Sequence, residues 1–127
     1  MRKLILALIF ACFVVTVQAQ EVKKEPVKTK QQKLSKNKKA EFEVKGNCEM
    51  CKKRIEKAAY SVKGVKSASW HSDHQDIHLI FDENKCSITE VKRAILNVGH
   101  DVEGEKASDD VYSKIHNCCQ YRTNSTN

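Results

Sequence analysis

The chain has 127 residues, 31% of them charged, which leaves room for one small domain with accessory segments and excludes a multidomain architecture. Its formal net charge is +7, but Arg2 and Lys3 carry +2 and residues 20–40 carry +6, so residues 41–127 carry −1. This nearly neutral part has no aromatic-basic face, and nucleic acid is therefore excluded as a partner.

The first 19 residues have the pattern of a secretory signal peptide. The basic head Met1-Arg2-Lys3 precedes an apolar run from Leu4 to Val17, and cleavage is predicted after Ala19. The run has 14 residues, whereas a membrane-spanning helix needs about 20, so a permanent anchor is the weaker interpretation. The sequence predicts an exported protein, periplasmic if its source is a Gram-negative bacterium, with no stable membrane insertion after cleavage.

Residues 20–40 form the next predicted segment, a disordered linker. It contains eight lysines, the single proline of the chain (Pro26) and few apolar residues. Such a composition cannot bury enough apolar surface to fold alone.

Regular patterns begin after the linker and predict a domain over residues 41–105. Alternation at Phe42 and Val44 predicts a first strand, and helical spacing follows from Ile55 to Val62, with Gly64 as its stop. Strands are predicted at Val65–Trp70 and Ile77–Phe81, joined by a hairpin loop at 72–76. Ser87 and Glu90 form a predicted capping box for a second helix that ends at Gly99, and His100–Glu103 supplies a short last strand.

This order, βαββαβ, predicts an α+β fold, a ferredoxin-like sandwich with two helices on a four-stranded antiparallel sheet. A C-terminal tail, residues 106–127, carries a pair of adjacent cysteines. In this topology Cys48, Cys51, His74 and His100 lie at one end of the domain, and Cys86 lies at the other.

Cys48 and Cys51 are the main candidate site. Both lie where the first helix begins, and the helix dipole together with Lys52, Lys53 and Arg54 favours the thiolate form. Thiolates bind soft ions such as Cu(I) or Hg(II), and a closed Zn(II) site requires four ligands. The same thiolates can also exchange disulfides, so metal binding and redox chemistry both remain open from the residues alone.

The motif around these cysteines resembles the heavy-metal-associated domain family. The resemblance rests on Gly46-Asn-Cys-Glu-Met-Cys-Lys-Lys-Arg-Ile-Glu56, on Gly64–Trp70 and on Ile95–Val102, and it covers about residues 42–105. It implies that Cys48 and Cys51 bind the metal in an exposed site and pass it on by thiolate exchange, without enzymatic activity. One departure is Gly46, which stands where the family usually has methionine.

Three further residues are secondary candidates for the metal site. His100 occupies the turn where related domains place a residue close to the metal, and it is equally well explained as an exposed turn histidine. A short helix capped by Ser108 is predicted to run back along the domain and to bring Cys118 and Cys119 towards the first pair, or else one of them forms a disulfide. Cys86 is predicted to be a small buried residue or a disulfide partner of the tail.

The predicted function is an exported protein that binds a soft heavy metal, with Cu(I) favoured and Hg(II) or Zn(II) as alternatives. Its expected partners are the ion and a metal-transporting membrane protein or efflux component. The alternative is a thiol-disulfide redox protein that uses the Cys48–Cys51 pair. Against it, a thioredoxin-like fold needs a longer chain and usually a cis-proline, and no proline follows Pro26.

Overall fold

The computed structural model describes residues 33–124; the predicted signal peptide and most of the predicted linker lie outside them. The described elements are β1 (Lys38–Glu43), α1 (Glu49–Tyr60), β2 (Val65–His71), β3 (Asp76–Phe81), α2 (Ile88–Leu96), α3 (Asp109–Tyr112) and two 3₁₀ helices (Asn117–Cys119 and Tyr121–Asn124). No helix among these has the length and apolar character needed to cross a membrane.

An antiparallel sheet of order β1-β3-β2 forms the centre of the domain. Alternate residues of the strands, such as Phe42, Trp70, Ile77 and Leu79, are buried on one face. The helices α1 and α2 contribute Ile55, Val91 and Ile95 to the same core. The expected α+β sandwich is therefore present, with one face of the sheet covered by helices and the other open.

The predicted fourth strand at residues 100–103 is wrong. Two backbone hydrogen bonds join this segment to the end of β1 and the residues after it: Lys45 N to Asp101 O and Glu103 N to Glu43 O, both 2.9 Å. They flank a single bridge between Val44 and Val102. The chain turns back at once, because Val102 and Glu105 exchange both backbone hydrogen bonds (3.0 Å each) across Gly104, whose φ is +77°. The described sheet therefore has three strands.

The boundaries of the first strand and of the second helix follow local interactions. β1 begins at Lys38, inside the segment predicted as linker, because Lys38 and Lys39 pair with Phe81 and Ile80. The capping box of α2 is confirmed: the Ser87 side chain accepts from the Glu90 N–H, and Glu90 Oε2 accepts from the Ser87 N–H at 2.7 Å.

The tail packs on the domain instead of leaving it. Ser108 caps α3 by accepting from the Val111 N–H, as predicted, and the α-helix ends at Tyr112. Ile115, Cys119 and Tyr121 are buried and belong to the main core. The tail thus extends the hydrophobic core. Because a small domain buries only a modest fraction of its surface, the extra buried apolar surface stabilises the fold.

Replacing Gly99 by alanine is expected to lower the free energy of unfolding by about 2–5 kcal/mol. Gly99 has a φ of +93°, and a Cβ there would lie 2.7 Å from Ile115 Cγ2 in the tail. The left-handed backbone costs about 1–2 kcal/mol for a residue with a Cβ, and overpacking costs about 1–3 kcal/mol more. Gly104→Ala is the matched control, because φ is +77° but no described heavy atom lies within 4 Å, so only the backbone cost applies. Equal urea midpoints for the two variants would contradict the close contact between tail and domain.

Candidate metal centre

The start of α1 brings Cys48 and Cys51 together. Cys48 is the N-cap residue, with φ −148° and ψ 169°, and Cys51 lies in the first helical turn. Their Sγ atoms are 3.2 Å apart. Cys51 is fully buried, whereas Cys48 is partly exposed, so the outer sulfur is the accessible one.

The tail places two more sulfurs on this pair. Cys118 Sγ and Cys119 Sγ each lie 3.5 Å from Cys48 Sγ, and they are 3.8 Å from each other. In a tetrahedral thiolate site with metal–sulfur bonds of about 2.3 Å, the sulfurs lie about 3.8 Å apart. The tail therefore approaches the first cysteine pair as predicted. Cys48 is the member of this four-sulfur cluster that contacts the other three.

The loop before Cys48 has Gly46 where the family usually has methionine, and the ring of Trp70 packs against this glycine. A Cβ on Gly46 would lie 3.0 Å from Trp70 Cζ2 and 3.1 Å from Cys51 Cβ. Trp70 is buried, and its Nε1–H donates to the Val44 carbonyl at 2.9 Å. Glycine at position 46 thus allows Trp70 to pack beneath the cysteine loop, which explains the departure from the family pattern.

The thiols of Cys48, Cys118 and Cys119 differ in pKa. Burial opposes ionisation of Cys48, but hydrogen bonds from Cys51, Cys118 and Cys119 outweigh it and lower the pKa of Cys48 to about 7. The hydrogen bond to Cys48 raises the pKa of Cys118, and burial raises that of Cys119. Without a metal, Cys48 therefore ionises more readily than Cys118 or Cys119.

Lys52 was predicted to favour the thiolate form, but it does not contribute to the lowered pKa of Cys48. The Lys52 ammonium donates to the Trp70 carbonyl at 2.7 Å and pairs with Glu56 at 2.8 Å. Its charge is therefore engaged by Glu56, in the middle of α1, and by the Trp70 carbonyl of β2. The neighbouring sulfhydryl groups stabilise the Cys48 thiolate instead.

Two polar residues that the sequence did not single out contact the cluster. His116 Nδ1 lies 3.2 Å from Cys118 Sγ, and Asn47 Oδ1 accepts from Cys51 Sγ at 3.3 Å. Each is close in sequence to the cysteine that it contacts, and that spacing was the available signal. Such partners orient ligand atoms and tune their basicity.

His100 lies in the core and outside the group formed by Cys48, Cys118 and Cys119, whose sulfurs are all within 4.8 Å of one another. It is 0% exposed, its Nδ1 bonds the Lys45 carbonyl at 2.8 Å, and its ring stacks on Tyr121. Nε2 is buried without a hydrogen-bond partner among the described residues. The alternative of an exposed turn histidine is wrong, and a ligand role for His100 gains no support from this placement.

The remaining sequence candidates lie away from the sulfurs. Cys86 is a buried free thiol whose nearest polar contact is the Asp82 carbonyl at 3.9 Å, and burial raises its pKa. His74 is exposed at the tip of the hairpin and pairs with Asp73 at 3.3 Å. The five described cysteines are all free thiols, so no disulfide joins the tail to Cys86.

The tail is held in place by Arg122, which the sequence did not mark as important. Its guanidinium binds both carboxylate oxygens of Asp101, at 3.1 and 2.5 Å, and also Asp109 and the Ala107 carbonyl. The Tyr121 hydroxyl donates to the Gly99 carbonyl at 3.0 Å and accepts from the Asp101 N–H at 2.7 Å. These contacts fix the end of the tail and thereby position Cys118 and Cys119.

Comparison with known proteins places the domain in a family. No family model matches the chain. The copper chaperone CopZ of Staphylococcus haemolyticus (strain JCSC1435) is 33% identical over 57 residues, which are 45% of this chain and 84% of that protein. Among solved structures, a CopZ metallochaperone aligns with a TM-score of 0.51 at 28% identity, over 52% of this chain and 100% of that one. The N-terminal domain of a potential copper-translocating P-type ATPase from Bacillus subtilis aligns with a TM-score of 0.51 at 25% identity, over 59% and 95%.

These similarities agree with the site and the fold: they cover about half of this chain but nearly the whole of each compared protein. The shared part is the small α+β domain, and the accessory segments account for the rest. The chain therefore belongs to the heavy-metal-associated domain family.

Proposed function

We propose that this protein is an exported, non-enzymatic Cu(I) carrier that holds the ion on Cys48 and Cys51 and encloses it with Cys118 and Cys119. The observation that carries the proposal is the convergence of three other thiols, those of Cys51, Cys118 and Cys119, on the sulfur of Cys48. Thiolate sulfur is the ligand type that selects Cu(I). The similarity to a copper chaperone supports the choice of this ion.

The tail favours retention of the ion over rapid transfer. Cys51 and Cys119 are buried, and the exposed Cys118 places its sulfur 3.5 Å from that of Cys48. An incoming thiolate from a partner must displace a tail sulfur before it reaches the ion. Sequestration is therefore the resting state, and delivery requires the exposed Cys118 to give up its place.

A metal-transporting membrane protein is the proposed recipient. The similarity to the domain of a potential copper-translocating ATPase supports a partner of the same fold that offers its own cysteine pair. Export rests on the N-terminal pattern at residues 1–19, which lies outside the described residues. In an oxidising compartment, occupied sulfurs resist disulfide formation better than free thiols.

Other soft or borderline ions fit parts of the same site. Hg(II) shares the preference for thiolates, and four sulfurs at 3.2–3.8 Å also suit tetrahedral Zn(II). The thiol-disulfide alternative is favoured by one observation, the 3.2 Å separation of Cys48 and Cys51 together with a Cys48 pKa of about 7. A reduction potential near those of catalytic disulfides would favour this alternative, whereas a strongly reducing value would exclude it.

The proposal is tested by competition between the reduced full chain and a chromogenic Cu(I) chelator. Cys48→Ser with Cys51→Ser is expected to abolish tight binding. Cys118→Ser with Cys119→Ser is expected to keep one ion per chain but to weaken binding by about tenfold or more, since loss of even an outer-shell partner costs about 10–100-fold. The second variant is also expected to release Cu(I) faster.

Cys86→Ser is the matched control, because Cys86 is a buried free thiol outside the sulfur cluster. It is expected to leave both affinity and release rate unchanged. Tight Cu(I) binding by the Cys48/Cys51 variant would overturn the proposed function. Equal affinities of the parent chain and the Cys118/Cys119 variant would remove the tail from the site. Parallel titrations with Hg(II) and Zn(II) decide the preference for the metal.

A further inference from the structure

The open face of the sheet carries a second group of metal-ligand side chains. His71 at the end of β2 is paired in register with Asp76 on β3, and His78 on β3 is paired with Glu41 on β1. Between Asp76 and His78, Ile77 is fully buried on the helix-covered face. Alternation along the strand therefore places the polar side chains on the opposite, open face.

The ligand atoms of this group converge on Asp76. His71 Nδ1 lies 3.2 Å from Asp76 Oδ1, and His78 Nε2 lies 3.3 Å from Asp76 Oδ2. The two imidazole rings meet edge to face with centroids 4.6 Å apart. Glu41 Oε2 lies 3.5 Å from His78 Nε2 and offers a fourth ligand atom.

His71, Asp76 and His78 have ligand atoms that all lie within 4.8 Å of one another, and the contacts among them and to Glu41 have the spacing of neighbouring ligands around a small divalent ion. With nitrogen and oxygen ligands at about 2.0–2.2 Å, the edges of a tetrahedron around Zn(II) are about 3.3–3.6 Å long. The observed separations of 3.2, 3.3 and 3.5 Å fall at or close to that range. Two imidazoles and carboxylates suit a borderline divalent ion and not the soft Cu(I) that thiolates select.

We propose that His71, Asp76 and His78, with Glu41 as the fourth ligand, form a second metal site that binds a borderline divalent cation such as Zn(II). The site is separate from the sulfur cluster and does not depend on the proposed Cu(I) function. Three neighbouring strands hold its ligands, so little chain entropy is lost when the ion binds.

The surroundings of the group support ion binding. Ser69 Oγ lies 3.3 Å from His71 Nε2, a contact that suits the tautomer with its proton on Nε2 and leaves Nδ1 as the ligand atom. The side chain of Asp76 is only 16% exposed, whereas His71 and His78 are 37% and 52% exposed, so the carboxylate forms the floor and the imidazoles form the entrance. The two carboxylates of Asp76 and Glu41 balance the charge of a divalent ion.

The test follows the imidazole nitrogens of the reduced full chain by two-bond proton–nitrogen NMR during a Zn(II) titration. These signals report on His71 and His78 directly, even if the cysteines also take up zinc. We expect saturable shifts at both rings, with one Zn(II) bound at this face. The same shifts are expected in the Cys48→Ser, Cys51→Ser variant, which separates this site from the proposed function.

His78→Gln is expected to weaken the response of His71 to Zn(II) by about tenfold or more, and Asp76→Asn is expected to weaken the responses of both rings. The matched control is His74→Gln, which removes an exposed histidine from the same hairpin without touching the group. Absence of zinc-dependent shifts at His71 and His78 would overturn the proposal. So would a His71 response that survives both His78→Gln and Asp76→Asn, or that is lost in His74→Gln.

Discussion

Arg122→Met is expected to release the tail, to lower the free energy of unfolding by about 2–4 kcal/mol and to weaken Cu(I) binding. The substitution keeps most of the side-chain volume against the Tyr112 ring, over which the guanidinium lies at 4.1 Å. It removes the partner of Asp101, whose side chain is 12% exposed. Burial opposes ionisation of Asp101, and hydrogen bonds from Arg122 and the Ala107 N–H hold its pKa below the ordinary value. An unpaired carboxylate in this position is costly.

Lys114→Met is the matched control for this variant. Lys114 pairs with Asp110 at 2.8 Å, but both side chains are largely exposed, and such pairs contribute about 0.5 kcal/mol or less. Urea unfolding of the metal-free proteins measures stability, and transfer of Cu(I) to a chelator measures retention. The Arg122 variant is expected to transfer Cu(I) as fast as the Cys118/Cys119 variant. A transfer rate equal to that of the parent would show that Arg122 does not position the tail sulfurs.

Metal binding and packing of the tail are coupled through this arrangement. The tail that carries Cys118 and Cys119 is docked on Asp101 through Tyr121 and Arg122. A ligand that binds the docked state alone stabilises that state. Under the proposed function, an ion bound to all four sulfurs is therefore expected to strengthen the docking of the tail, and a partner that removes the tail sulfurs is expected to loosen the docked segment. In this proposal, retention of the ion corresponds to the docked tail and release corresponds to the undocked tail.

Local patterns predicted the elements that depend on local interactions. The capping box at Ser87, the hairpin loop predicted at 72–76 and found at 72–75, and the start of α1 at the cysteine motif each involve residues a few positions apart. The last strand was predicted wrongly because Gly104 allows a turn that competes with pairing to β1. A glycine two positions after Val102 was the available signal for that turn.

Sequence patterns could not predict the side-chain contacts between segments that are distant in the chain. The approach of Cys118 and Cys119 to Cys48 was predicted from the direction of the tail, but its cause, the pair of Arg122 and Asp101, is set by long-range packing. The convergence of His71 and His78 on Asp76 depends on strand register, which the sequence patterns did not determine.

Acidification from pH 7.5 to 4.5 is expected to lower the free energy of unfolding by about 3 kcal/mol through His100 alone. Burial lowers the pKa of His100 to about 4, and the bond to the Lys45 carbonyl offsets only part of that effect. Because the folded pKa lies below the unfolded value of about 6.5, folding favours the neutral ring. The stabilisation is complete above pH 6.5 and is lost as the pH falls towards 4. His100→Phe keeps an aromatic ring against Tyr121 but cannot titrate, so urea midpoints of this variant should change less with pH than those of the parent and of the exposed-site control His74→Gln. The same pH dependence in all three proteins would contradict a buried neutral His100.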